Sequence, residues 1–140
     1  MLITGASSGL GAEFARQLAA RGAHLILVAR RKDRLDALKS ELDAAQAIRI
    51  TVIEADLTSP GAASTLAADM DRLALPIHSL INNAGFGTHD AFSDEDAEQI
   101  HNEVALNVSA LVDLTKRFWP ELIEQGKGVL VNVASAAAFQ

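Results

Sequence analysis

Residues 4–11 decide the fold, and they read Thr4-Gly5-Ala6-Ser7-Ser8-Gly9-Leu10-Gly11. A short apolar run precedes them and a helical apolar spacing follows, which predicts a strand, a glycine turn and a helix. Gly5 permits the turn, Gly9 lets backbone approach a ligand, and Gly11 lets the helix pack closely on the strand. The free N–H groups at the helix start favour an anion. The stretch therefore predicts a pyrophosphate site that also includes Ser7, Ser8 and Leu10.

The rest of the sequence alternates further strands with helices. Strands are expected at residues 23–29, 48–53, 77–81 and 129–134, after the first at 2–4. A third helix is predicted from Pro60, capped by Thr58 and Ser59, to about Leu73. A long helix is indicated by an apolar stripe at steps of three and four: Val104, Val108, Leu111, Thr115, Phe118, Leu122. This alternation predicts an α/β fold, a Rossmann-type doubly wound parallel sheet with strand order 3-2-1-4-5.

The composition bounds the possible functions. The 140 residues are predicted to form one domain, and without cysteine they exclude disulfides, thiolate metal sites and a cysteine nucleophile. A net charge of −6 argues against a nucleic-acid partner, and apolar runs such as residues 25–29 are too short to span a bilayer. The four histidines have no zinc-like spacing, so no metal site is predicted. We expect a cytoplasmic protein.

Both ends of the sequence suggest cuts in a larger domain. The first strand of such a sheet is central, yet only three residues precede the turn. The fifth strand, residues 129–134, is too apolar for a comfortable exposed edge. We therefore expect that C-terminal strands are missing.

A basic run follows the second predicted strand, where dinucleotide folds bind the adenosine ribose. The run Arg30-Arg31-Lys32-Asp33-Arg34 carries four positive charges and one negative. Guanidinium groups suit phosphate geometry, so Arg30, as the main contact, and Arg31 favour NADP(H) over NAD(H). The alternative is a solvated helix start, although cations oppose the helix dipole there.

Five segments together resemble the short-chain dehydrogenase/reductase family. They are residues 4–11, Asp56-Leu57 after the third strand, Asn82-Asn83-Ala84-Gly85 after the fourth, Asn107 in the long helix, and Asn132-Val133-Ala134-Ser135 at the end of the fifth. They span nearly the whole chain in the family's order and approximate spacing.

The resemblance implies further cofactor-binding residues. Asp56 would hydrogen-bond the adenine amino group, with the Leu57 backbone beside it. The alternative for Asp56 is a strand-end cap. Asn83, Ala84 and Gly85 would lie along the cofactor, in a segment that also stabilises the central sheet.

The resemblance also implies catalytic residues and a reaction. Ser135 would hydrogen-bond the substrate carbonyl, and Asn107 would bend its helix and hold a water of the proton relay. The reaction would be hydride transfer between a nicotinamide and a small-molecule carbonyl or alcohol substrate. The family's acid/base is a Tyr followed four residues later by a Lys, and this sequence contains no Tyr. The 140 residues are therefore expected to be inactive alone.

Two other functions stay open at this point. One is a non-catalytic NADP(H)-binding or regulatory module, and the other is a dimerisation domain with a vestigial cofactor site. In the family, the helix containing Asn107 to Leu122 is used for dimerisation, which implies a homodimer or homotetramer. Phe118 and Trp119 in that helix are expected to pack in the core, and the alternative is an exposed apolar face that forms a subunit contact.

Overall fold

The computed structural model describes residues 1–88 and 91–135, apart from the side chain of Gln125. Five parallel strands form one sheet in the order β3-β2-β1-β4-β5, as predicted. The strands are β1 Leu2–Thr4, β2 Leu25–Ala29, β3 Ile50–Glu54, β4 Leu80–Asn82 and β5 Leu130–Asn132. The helices are α1 Gly9–Ala20, α2 Lys32–Ala45, α3 Ala62–Arg72, α4 Ala97–Val104 and α5 Leu111–Gln125, with a π-helical segment Ala105–Ala110 between the last two.

Apolar side chains fill a core on each face of the sheet. Residues of α1 and α2, such as Ala15 and Leu35, pack on one face, and residues of α3 and α5, such as Leu66 and Phe118, pack on the other. Every residue of β2 is buried, as expected for a strand covered on both sides. The fold is therefore the predicted doubly wound one.

Within the described ranges, the helices lack the combination of length and apolar character that crossing a bilayer requires.

The start of the third helix differs from the prediction. Thr58 and Pro60 lie in a turn, because the Asp56 carboxylate accepts hydrogen bonds from the N–H and hydroxyl of Thr58 at 3.0 and 2.8 Å. Gly61 follows with φ +75°, a left-handed conformation that no α-helix continues through, so α3 begins at Ala62. The predicted cap and proline start were wrong.

The predicted apolar stripe of the long helix was out of phase at its start, whereas its last two members, Phe118 and Leu122, are buried as predicted. The buried positions are Leu106, Ala110, Leu114, Phe118 and Leu122, each four residues from the last. Val104 and Val108, which the stripe included, are 52% and 55% exposed, and Trp119 is 47% exposed rather than in the core. The π-helical segment explains the difference, because its wider turn shifts the side chains that face the sheet.

Candidate active site at the carboxyl ends of the strands

The glycine turn brings β1, α1 and the segment after β4 into close contact. A Cβ on Gly5, whose φ is +66°, would lie 2.8 Å from the Ala84 Cα. A Cβ on Gly11 would lie 2.4 Å from the Gly5 carbonyl oxygen and 2.5 Å from Nδ2 of Asn83. Larger side chains at either position would therefore separate the helix from the sheet.

The outer side of the same turn is open. Among the described residues, apart from its chain neighbours and the backbone of its own helix, no heavy atom lies within 4 Å of the position a Cβ on Gly9 would take. Ser8 precedes α1 in an extended conformation. Within the described part of the chain, its side chain makes no capping hydrogen bond to that helix. The first N–H groups of α1 are thus left to an acceptor from outside the helix, which is the arrangement that binds phosphates.

Arg31 lies across this turn. Its guanidinium donates hydrogen bonds to Ser7 Oγ at 3.0 and 3.3 Å and to Ser8 Oγ at 2.8 Å. Arg31 and Ser8 are exposed and Ser7 is partly buried, so the pair of hydroxyls holds a cation at the surface. The structure thus joins the predicted pyrophosphate turn to the predicted basic run.

Arg30 points toward a different part of the cleft. A cavity of about 360 Å³ lies between Arg30, Phe86 and polar residues of the α4 end: Asp96, Glu98, Gln99, Asn102. Burial disfavours the ionised form of Asp56, but hydrogen bonds from Thr58 and the positive charge of Arg30 outweigh it and hold the pKa of Asp56 below its ordinary value. Asp56 therefore stays ionised beside Arg30, while Leu57 is buried in the core.

Thr4 links the two central strands at their carboxyl ends. Its buried hydroxyl accepts hydrogen bonds from the N–H groups of Asn83 and Ala84, both at 3.0 Å, and donates to the Ile81 carbonyl at 3.3 Å. Sequence reasoning did not single out Thr4 as a site residue. The available signal was a hydroxyl residue at the end of an apolar strand, immediately before the glycine turn.

Asn82 makes a second polar link beneath the site. Its buried amide nitrogen donates to Thr115 Oγ1 and to Asn132 Oδ1, both at 3.0 Å, which joins β4 to α5 and β5. Among the described residues, its Oδ1 has no hydrogen-bond partner. This link accounts physically for the sheet-stabilising role that the resemblance implies for residues 82–85.

Asn107 lies in the π-helical segment and contacts the segment after β4. Its carboxamide donates to the Phe86 carbonyl at 2.7 Å and accepts from the Phe86 N–H at 3.1 Å. A Cβ on Gly85 would lie 2.9 Å from Asn107 Oδ1.

Ser135 follows β5 by three residues and is exposed, at the edge where the carboxyl ends of the parallel strands meet.

The histidines, aspartates and glutamates form no grouping of three suitable for a metal ion within residues 1–88 and 91–135. His89, one of the four scattered histidines, lies outside the described residues.

The chain matches the family model described as short chain dehydrogenase over residues 1–140. It is 38% identical over 134 residues to galactitol 2-dehydrogenase (L-tagatose-forming) of Cereibacter sphaeroides, covering 95% of this chain and 51% of that protein. Two solved structures are 40% identical with a TM-score of 0.89 and 99% coverage of this chain. One is a short-chain dehydrogenase from Sphingobium yanoikuyae in complex with NADPH, and this chain covers 54% of it. The other is the bulky-bulky ketone specific alcohol dehydrogenase from Comamonas testosteroni, of which 55% is covered.

The chain thus spans about half the length of the relatives that it matches. Over that span, the five-stranded sheet agrees with the solved structures of these relatives, with a TM-score of 0.89. The chain belongs to the short-chain dehydrogenase family of oxidoreductases.

Proposed function

We propose that this chain is the cofactor-binding part of an NADP(H)-dependent oxidoreductase that transfers hydride between the nicotinamide and a carbonyl or alcohol substrate. The observation that carries the proposal is the contact of the Arg31 guanidinium with Ser7 and Ser8 on the glycine turn. This contact puts a cation and two hydroxyl groups beside the open N–H groups of α1. It suits a ligand with two phosphate groups, one on the helix axis and one to its side.

Charge at the end of β2 favours a 2′-phosphate over a free ribose hydroxyl. Ala29 ends this strand and two arginines follow, whereas an acidic residue there would accept hydrogen bonds from the hydroxyl and repel a phosphate. The relative from Sphingobium yanoikuyae, described in complex with NADPH, supports the same preference.

We assign the adenine end to Asp56 and Leu57. Oδ1 of Asp56 is engaged by Thr58, which orients the carboxylate, so Oδ2 is the oxygen we assign to the adenine amino group. The capping role and the binding role of Asp56 are compatible in this geometry. Asn83, Ala84 and Gly85 continue the site beside the glycine turn.

The catalytic roles fall on Ser135 and Asn107. When bound, the nicotinamide supplies the hydride chemistry. The Ser135 hydroxyl would donate a hydrogen bond to the substrate carbonyl oxygen and orient the carbonyl carbon. The side chain of Asn107 is occupied by Phe86, so we assign the relay water to the backbone of the π-helical segment.

The sequence contains no Tyr, the residue that the family uses as acid/base. A positioned proton-transfer group is worth about 10²- to 10⁴-fold in rate. We therefore propose that the 140 residues bind NADP(H) without efficient turnover. The cytoplasmic location expected from the composition stays a prediction.

An exposed apolar stripe favours self-association as an additional function. Five large side chains follow one side of the π-helical segment and the helices around it, each 47–60% exposed: Val104, Val108, Val112, Trp119, Ile123. Exposed apolar side chains along one side of a helix are typical of protein contacts. We propose that a second copy of the chain covers it, giving a homodimer or a homotetramer.

The proposed function is tested by titrating the chain with NADPH and NADH, followed by cofactor fluorescence, and then by assaying reduction of a bulky ketone. We expect NADPH to bind at least tenfold more tightly than NADH, with turnover near the uncatalysed rate. A chain that folds but binds neither cofactor would support a dimerisation domain with a vestigial site. Efficient turnover would contradict the role given to the absent Tyr.

A further inference from the structure

We propose that Glu103, a residue of α4, is a positioning residue that holds the segment after β4 in place for the nicotinamide half of the cofactor. This inference rests on the proposed function. Glu103 is partly buried, and its Oε2 accepts a hydrogen bond from the Thr88 hydroxyl at 3.2 Å. Its Oε1 lies 3.8 Å from the position that a Cβ on Gly87 would take. The carboxylate thus hydrogen-bonds Thr88 and lies beside Gly87.

Glu103 acts together with Asn107, which follows it by four residues in the sequence. Side chains at this spacing project from one side of a helix. The Asn107 carboxamide makes two hydrogen bonds with the Phe86 main chain, and the Glu103 carboxylate accepts one from the Thr88 hydroxyl. Phe86 and Thr88 are two residues apart in a segment without regular secondary structure. The helix therefore fixes residues 86–88 at two points.

The strand order indicates which half of the cofactor this segment would contact. The glycine turn follows β1, the central strand, and the proposed adenosine contacts follow β2 and β3 on one side of it. β4 and β5 lie on the other side, so a dinucleotide whose pyrophosphate sits on the turn extends its nicotinamide toward the segments after β4 and β5. Residues 86–88 therefore border the nicotinamide half.

The contact matters because residues 83–88 belong to no strand or helix. If Glu103 orders this segment before binding, the cofactor meets a preformed surface. Without the contact, binding must itself order residues 86–88, and the affinity for any ligand that reaches them falls. A ligand that occupies only the adenosine half would be unaffected.

The test compares two probes on the chain: NADPH and adenosine 2′,5′-bisphosphate, which lacks the nicotinamide half. The variants are Glu103→Ala and Thr88→Val, each of which removes one partner, and the pair combined. Glu103→Gln keeps an oxygen that accepts from Thr88. Glu124→Ala, on the exposed end of α5, is the control for loss of a carboxylate.

We expect Glu103→Ala and Thr88→Val each to raise the Kd for NADPH about fivefold and to leave the Kd for the bisphosphate unchanged. The combined variant should be no weaker than either single one, and Glu103→Gln and Glu124→Ala should match the parent chain.

Equal loss for both probes in every variant would reveal a general structural effect and overturn the inference. So would unchanged NADPH binding in Glu103→Ala and Thr88→Val. A parent chain that binds the bisphosphate but not NADPH would overturn the inference alone, whereas one that binds neither would overturn the proposed function and the inference with it.

Discussion

Thr4 and Asn83 hold each other at the carboxyl ends of β1 and β4. The Thr4 hydroxyl accepts from the Asn83 N–H at 3.0 Å, and the Asn83 carboxamide donates to the Thr4 carbonyl at 3.0 Å. The same carboxamide reaches the Gly5 carbonyl at 3.4 Å. The glycine turn is therefore fixed to the segment after β4 by side chains, where the main-chain ladder of the sheet has ended.

Replacing Thr4 by Val should destabilise the fold. The Val side chain has similar shape but no hydroxyl, so the N–H groups of Asn83 and Ala84 lose their acceptor. We expect the free energy of unfolding to fall by about 2 kcal/mol, measured by urea denaturation. Thr65→Val, at an exposed position in α3, is the matched control and should change it by less than about 0.5 kcal/mol. Equal stability of the two variants would show that the Thr4 hydroxyl contributes little.

The pH dependence of stability should report on Asp56. Burial works against its charge, but Thr58 and Arg30 lower its pKa in the folded chain below the unfolded value of about 3.9. A depressed folded pKa gives stability that is present above pH ~4 and is lost as the pH falls through the folded value. In urea denaturation, the stability advantage of the parent chain over Asp56→Asn should shrink between pH 6 and pH 3. An Asp56→Asn difference that stays constant over this range would contradict the proposed ionisation.

Self-association should depend on the exposed apolar stripe that runs from Val104 to Ile123. Val112 is 55% exposed at its centre, and a glutamate there would place a charge in the proposed interface. We expect sedimentation velocity to give a dimer or larger assembly for the parent chain and a monomer for Val112→Glu. Leu73→Glu, at a 48% exposed apolar residue just after α3, is the control and should leave the assembly intact. A parent chain that is monomeric at high concentration would contradict this proposal.

The fold could be predicted because its signals are local. The glycine turn, the apolar β2 and the alternation of elements are each visible in short stretches of sequence, and the strand order is the one typical of Rossmann-type sheets. The start of α3 could not be read from Pro60, because the Asp56 side chain and the left-handed Gly61 set it together. The prediction of which residues at the start of the long helix face the sheet failed for a similar reason. The π-helical turn changes which side chains face the sheet, and it lies where Asn107 contacts Phe86, a residue distant in sequence.

The candidate site was predictable as a set of residues but not as a set of contacts. The turn and Arg31 were identified separately, from glycine spacing and from charge. Their hydrogen bonds depend on how the end of β2 lies beside the turn after β1, which only the packed sheet determines. The Thr88 and Glu103 pair left no comparable signal, because a threonine in a loop and a glutamate in a helix are common.

The NADP(H) preference is measured most directly by the ratio of the Kd for NADH to the Kd for NADPH, determined for the parent chain, Arg31→Ala and the control Arg34→Ala. Arg34 belongs to the same basic run and is exposed on α2. Loss of a charge-assisted hydrogen bond to a phosphate should weaken NADPH binding by Arg31→Ala at least tenfold and leave NADH binding within about threefold. The ratio should therefore collapse in Arg31→Ala and persist in Arg34→Ala. A ratio near one in the parent chain, or one that Arg31→Ala leaves unchanged, would contradict the account.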